Sequence, residues 1–496
     1  MKPNLYILSF ALLFTSIFAQ KTLTPLETSG YKELTNYNGI IDFITNLPKD
    51  KAPFQIEYFA KSASGRDIPA IKFSQGDFGK DSGKLKVILF AQQHGNEPSG
   101  KEALLIAVAK FTSGELEYLL DKLDIVIIPE MNPDGNEANK RRNGNRADLN
   151  RDHLLLLQPE IEGLHKFFNK YSFEVSLDIH EYSPYSEDWI NFGYIKNSAV
   201  QVGRLTNINT PEEIRKFEAS VYMPYIAKSF FEAGVSYSEY NPGGPPEKEY
   251  IRLSTFDIND GRQSFGSLGT ISFIQEGKNG RDSIDNIEMR AKSQLVGILG
   301  YLEFAYKNAD QMKKMVNSER EKIIDGSPEK VAVQMIHVND GSKLTTKLLS
   351  LATNNDTTIT INNYRPVVKS IFNVNKPIGY LIPTNDTLLV QWAKRHDLKI
   401  GKYTKKSNAV IEEYTVTTND SIDFEGDIVI NPSLETKIIS PDQLTGEYYL
   451  ISTKQLAGNV IVQALEPKSI IGLVTYKPFE YLIKNNMAYP ILRLMK

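Results

Sequence analysis

His94 and Glu97 stand three residues apart in the stretch Gln93-His94-Gly95-Asn96-Glu97-Pro98. The preceding run Lys86-Val87-Ile88-Leu89-Phe90 is short, apolar and β-branched, and a Gly-bearing turn closes it, so it reads as a buried strand. An imidazole and a carboxylate on the turn leaving a strand can converge on one cation. Two further segments finish in the same way, Val175 to His180 in a histidine and Ile271 to Glu276 in a carboxylate. Two His and one Glu, with a fourth position left for water, is how catalytic zinc is held. His94, Glu97 and His180 are therefore candidate ligands for one zinc ion per chain, with Glu276 beside them.

The residue inventory narrows the choice of ligands. There is no cysteine, which excludes thiol catalysis, CxxC metal sites, disulfides and lipid attachment through Cys. Any metal must sit on His, Asp or Glu. Six histidines are present, and a single His at a strand end is more often a hydrogen-bonded structural residue than a ligand. Joint occurrence at strand ends singles out His94 and His180. His165 falls on a helical stretch, His337 in the trailing region and His396 beside Arg395, while His153, next to an Arg-rich loop, is a weaker alternative ligand.

Alternating strands and helices must position these groups. Thr35 to Leu47 has helical apolar spacing, and Phe54 to Phe59 and Ile68 to Phe73 read as strands around a Gly65-Arg66 turn. Ser99 to Phe111 is predicted helical, Ile125 to Pro129 a second fully apolar strand, and Glu130 to Gly135 a turn by its Asn-Pro and Asp-Gly pairs. Pro159 to Tyr171, Pro211 to Ala233 and Ser283 to Asn308 are predicted helices, and Tyr240 to Pro246 a surface loop. The pattern predicts an α/β fold, a mixed, mostly parallel sheet flanked by helices, with its site outside the strand ends.

At 496 residues the chain exceeds one ordinary domain. A net charge of -3 gives no basic footprint for nucleic acid. Lys2 followed by the apolar run Leu5 to Ala19 is expected to be a signal peptide cleaved after Ala19, giving a secreted or periplasmic protein with no membrane span once cleaved. The expected division is residues 1–19 as signal, 20–310 as catalytic domain, 311–329 as linker or helix tail, and 330–496 as a smaller, mainly β C-terminal domain.

Over residues 30 to 305 the chain resembles the zinc carboxypeptidase family typified by the pancreatic carboxypeptidases. His94-x-x-Glu97, Asn132-Pro133-Asp134-Gly135, Arg141-x-Asn143, Asp148-Leu149-Asn150-Arg151, His180 and Glu276 match that family's motifs in order. The resemblance implies that Glu276 is the general base and Arg141 the oxyanion stabiliser, with Arg142 its neighbour. It implies that Asn150 and Arg151 grip a substrate's terminal carboxylate, and that Asp148 accepts from a ring N–H of His94. The implied substrate is a peptide or protein with a free C-terminus. Three departures stand out: Arg146 where the family often has Gly, no assignable substrate-capping Tyr among Tyr240 and Tyr250, and a variant Asp257 to Gly266 segment. Two rivals keep part of this reading: a zinc amidase acting on cell-wall peptides or acylated amino acids, and a catalytically silent binding protein.

Overall fold

The computed structural model describes residues 22–48 and 52–496, so the expected signal segment lies outside the described residues. In the N-terminal portion the first strands are β1 (Phe54–Lys61), β2 (Asp67–Phe73), β3 (Leu85–Ala91), β4 (Leu123–Ile128) and β5 (Val175–Tyr182). They are followed by β6 (Tyr194–Lys196), β7 (Val200–Gly203), β8 (Tyr237–Glu239), β9 (Ile251–Arg252) and β10 (Ile271–Lys278). Eight of these make one sheet in the order β1-β2-β4-β3-β5-β10-β7-β8. Its centre, β4 to β10, is parallel, whereas β2 joins β4 and β7 joins β10 antiparallel. The α/β fold with a mixed sheet is as the sequence pattern predicts.

Period-two alternation divides the central strands between two cores. Val87 and Leu89 of β3 and Ile125 and Ile127 of β4 face one core with the helices Pro98–Thr112 and Ile287–Ile324. Ile88, Phe90, Val126 and Ile128 face the other, with the helix Pro159–Tyr171. Strands buried on both faces must be apolar at every position, which is why they read as continuous runs.

Four local expectations need correction. The Asn132 to Gly135 turn is the start of a short helix, Pro133–Ala138, because the Asn132 side chain caps Gly135 N–H and Pro133 sits at the first position. The predicted 211–233 helix is interrupted by a π turn at Glu218–Tyr222, where Met223 N–H bonds to Glu218 O. Pro224 follows and has no N–H to keep the α pattern. The closing helix begins at Ile287 rather than Ser283 and runs on to Ile324, so the stretch after 310 is its tail, in which Glu319 and Arg320 are buried and Arg320 donates to Ser172 O and Phe173 O. The loop from Tyr240 to Pro246 is half-buried rather than on the surface, since later strands pack over it.

Those strands belong to the trailing region: β11 (Lys330–Val338), β12 (Leu344–Ser350), β13 (Asn355–Ile361), β14 (Tyr364–Arg365) and β15 (Val367–Asn375). β12 pairs antiparallel with β6, and β14 pairs parallel with β9. A seven-stranded sheet follows, with a helix at Thr387–Arg395 capped by Asp386. One apolar cluster runs without a break from Ile88 and Phe168 of the N-terminal portion to Trp392 and Leu465 of the trailing region.

Candidate metal centre

Two chain segments bring the candidate ligands together at the carboxyl ends of β3 and β5, and the neighbouring β10 carries Glu276 beside His180. Gly95 in the first segment meets Gly135 so closely that a Cβ on Gly95 would lie 2.0 Å from the Gly135 carbonyl carbon. Two of the sequence motifs therefore touch backbone to backbone. Asp134 in turn takes Arg66 Nη1 at 2.5 Å and Ser62 Oγ at 2.9 Å, so the Gly65-Arg66 hairpin is fastened to the site's outer wall. Glu97 is the N-cap of Pro98–Thr112 but makes no capping bond, because its carboxylate is used elsewhere. The helix start adds favourable positive potential beneath it.

The rings of His94 and His180 lie 4.8 Å apart, centroid to centroid. One atom from each of His94, Glu97 and His180 falls within 4.8 Å of the other two, and all three residues are buried. His94 Nδ1 is 2.9 Å from Glu97 Oε1, His180 Nδ1 is 3.0 Å from Glu97 Oε2, and the two Nδ1 atoms are 3.2 Å apart. On the far side of each ring a second carboxylate waits: Asp148 Oδ1 at 3.0 Å from His94 Nε2, and Asp178 Oδ1 at 2.9 Å from His180 Nε2. Carboxylates that take the Nε2 protons leave both Nδ1 lone pairs aimed at one point. Two imidazole nitrogens and a carboxylate so arranged are a donor set that suits zinc.

The electrostatics agree with that geometry. Burial works to raise the Glu97 pKa, but the two imidazoles outweigh it and hold the group well below the usual carboxylate range. Burial likewise opposes ionisation of Asp148, yet the contacts with His94 and the charge of Arg141 drive its pKa down. Glu276 differs. It pairs with His180 across β10 and β5, is 7% exposed, and burial pushes its pKa up to about 7.

Arg141 reaches the same centre. Its Nη1 lies 3.2 Å from His94 Nδ1, and its Nε and Nη2 hold Asp148 Oδ2 at 3.0 and 2.9 Å. Arg142 turns away and donates to Arg146 O. Arg146 adopts φ +61°, the left-handed region that Gly fills without strain, which accounts physically for a Gly at that place in the family pattern. Asn150 Nδ2 is 3.2 Å from His180 Nε2, and its Oδ1 accepts from Gly261 N at 2.8 Å. Arg151 donates to Asn150 O at 2.7 Å. Desolvation would lower the Arg151 pKa, but Asp148, Asp257 and Asp260 raise it on balance. His153 is not at the cluster: it bonds Gln93 Oε1 at 2.9 Å and faces His165 at 3.0 Å.

Sequence reasoning missed Gln93 and Asp178. Gln93 Nε2 holds both Asp178 oxygens, at 3.0 and 2.9 Å, and so fixes the carboxylate behind His180. Asp178 was legible in principle, because residues two apart on a strand share a face.

Residues 40–221 match the zinc carboxypeptidase family model. The chain is 25% identical over 454 residues to carboxypeptidase 2 of Trichophyton rubrum, covering 88% of this chain and 81% of that one. It is 25% identical over 229 residues to human carboxypeptidase D, covering 40% of this chain and 17% of that one. Among solved structures, carboxypeptidase A from Helicoverpa armigera superposes with a TM-score of 0.44 at 19% identity, over 56% of this chain and 75% of that one. The matched region and the carboxypeptidase relatives together support the zinc carboxypeptidase family for residues 40–221. The chain is accordingly a peptidase of the hydrolase class.

Proposed function

We propose that the protein is a secreted metallocarboxypeptidase that removes C-terminal residues from peptides or proteins, with one zinc held by His94, Glu97 and His180. The observation that carries this reading is the meeting of two Nδ1 atoms and one carboxylate within 4.8 Å, each ring backed by its own second carboxylate. Bound zinc supplies Lewis acidity, polarising a scissile carbonyl and lowering the pKa of a water. Glu276 takes the proton of the attacking water and passes it to the leaving amine. Arg141 sets a fixed positive charge where the carbonyl oxygen becomes negative, a contribution of about 3 kcal/mol at such sites. Asn150 and Arg151 bind the terminal carboxylate, the guanidinium offering two parallel N–H bonds. Asp148 keeps His94 in the ligating tautomer and steadies Arg141.

Export rests on Lys2 and the Leu5 to Ala19 run. Among the described residues no helix is long and apolar enough to cross a membrane. The working division is a catalytic portion over residues 20–310 and a trailing region from 330.

The test is Arg151→Ala assayed on peptides with free C-termini and on the same peptides amidated. A carboxypeptidase loses affinity for the free acids, with KM rising ~10-fold or more and the poor amide substrates unaffected. Equal kinetics on acids and amides in the unsubstituted protein would instead favour the amidase. Silence on both, in metal-loaded protein, would favour a binding protein.

A further inference from the structure

The grip on the terminal carboxylate does not end with the residues that would touch it. The segment from Arg252 to Gly261 lies behind Asn150 and Arg151 and is bonded to Asn150 and to His153, two residues beyond Arg151: Gly261 N–H donates to Asn150 Oδ1 at 2.8 Å, and His153 N–H to Asn259 O at 3.2 Å. Asp257 and Asp260 of the same segment are the charged neighbours of Arg151 from that side. Whatever fixes this segment fixes the two gripping residues.

The trailing region holds it from three directions. β14 lies along β9, with Leu253 N–H donating to Arg365 O at 3.3 Å. Arg252 Nη2 meets Glu425 Oε2 at 3.1 Å, each side chain 12% exposed, and Glu425 Oε1 is 3.0 Å from His337 Nδ1. Asn259 Nδ2 donates to Tyr476 Oη at 3.0 Å. Phe256 fills the space between, stacked on His337 at 5.1 Å and against Phe424 at 5.6 Å.

Glu425 is an odd residue for its place. It opens the two-residue turn between strands Ser421–Phe424 and Asp427–Ile430, with φ +54°, followed by Gly426 at φ +95°. Both central residues at positive φ make a type I′ turn, where Asn, Asp and Gly are favoured and a longer side chain is strained. A turn serving only the hairpin gains nothing from glutamate there. Its carboxylate instead crosses to Arg252 of the catalytic portion, which also donates to Glu249 Oε1 at 2.8 Å, so losing Glu425 unties the segment from the trailing region while Arg252 keeps its local partner.

We propose that Glu425, through Arg252, and Tyr476, through Asn259, are positioning residues for the terminal-carboxylate site, so that the trailing region is a working part of substrate binding. The chain of contact is Glu425 to Arg252, along the segment to Gly261 and Asn259, and from these to Asn150 and the residues around Arg151. The inference rests on the carboxypeptidase reading for its kinetic consequence but not for its structural one.

Amide exchange on the full-length protein tests the structural part whatever the activity. In Glu425→Ala the Gly261 and His153 amides should exchange ~10-fold faster or more, while those of β3 and β5 hold their protection. Unchanged exchange at Gly261 and His153 would overturn the proposal. Tyr476→Phe, which keeps the ring and loses the hydroxyl acceptor, provides the same test if Glu425→Ala folds poorly. Kinetics then test the consequence. Glu425→Ala should raise KM for free-acid peptides ~10-fold with kcat within ~2-fold, and add nothing to KM in an Arg151→Ala background. A KM effect that persists in full beside Arg151→Ala would contradict action through the carboxylate grip. Absence of any peptidase activity in the unsubstituted protein would remove the carboxypeptidase reading, and the exchange result would still decide the positioning claim.

Discussion

Two clusters of histidine behave oppositely, one within the N-terminal portion and one shared between it and His396 of the trailing region. His94 and His180 each set Nε2 on a carboxylate and turn Nδ1 inward, to a shared point beside Glu97. His153, His165 and His396 also pack ring against ring, tilted and edge-on, with centroids 5.2 and 5.9 Å apart. Their hydrogen-bond partners are neutral, however: the Gln93 amide, one another, and Leu154 O. Burial therefore prevails there, depressing His153 and His396 to about 4 and His165 well below its ordinary value. At His180 burial also opposes the charge, but Asp178 and Glu97 overturn it and the pKa goes up. Burial alone does not make a ligand. What sets His94 and His180 apart is a carboxylate behind each ring.

Substitutions that remove one group at a time should separate the two clusters. Glu276→Gln should retain zinc and lose kcat by ~10²- to 10⁴-fold, the usual worth of a positioned base. Metal analysis with steady-state kinetics checks this, and normal turnover would remove Glu276 from the base role. Asp178→Asn leaves His180 in place but takes away the negative charge behind it, keeping only a neutral amide. Zinc affinity should fall ~10- to 100-fold, measured by competition with a chelator. Unchanged affinity would mean that the carboxylate does not separate the two clusters.

The smallest effect belongs to the neutral cluster. His396→Gln should leave zinc affinity unchanged and alter only acid stability. A histidine whose folded pKa lies below its unfolded value near 6.5 contributes stability that is complete above pH ~6.5 and lost as pH falls to about 4. Allowing for partial exposure, His396 accounts for ~2 kcal/mol of that loss. Urea unfolding at pH 7.5 and 4.5 should therefore show a smaller drop in the variant. An equal drop would contradict the assignment.

How much of this was legible follows from which forces are local. Val87 to Phe90 and Ile125 to Ile128 are apolar at every position because both faces of the central strands are covered, and that pattern is visible in one sequence. The candidate ligands were legible because each follows such a run. The π turn before Pro224 and the helix start at Asn132 needed only closer attention to missing donors and caps. Arg146 was visible as a missing Gly, and its positive φ shows what that Gly would supply. Long-range pairing was not legible. Nothing in the alternation of Leu344 to Ser350 says that it pairs with Tyr194 to Lys196. Nor does the Phe424 to Gly426 turn advertise that its glutamate crosses to Arg252. The trailing region read as a companion domain because its own strands alternate, while its contacts with the catalytic portion come from residues far away along the chain.

The most direct measurement is calorimetric titration of metal-depleted protein with zinc, in parallel with His180→Ala. Unsubstituted protein should take up one zinc per chain and regain peptidase activity over the same range, while His180→Ala shows neither. Zinc uptake that survives in His180→Ala, or activity in the unsubstituted protein with no zinc bound, would contradict the account.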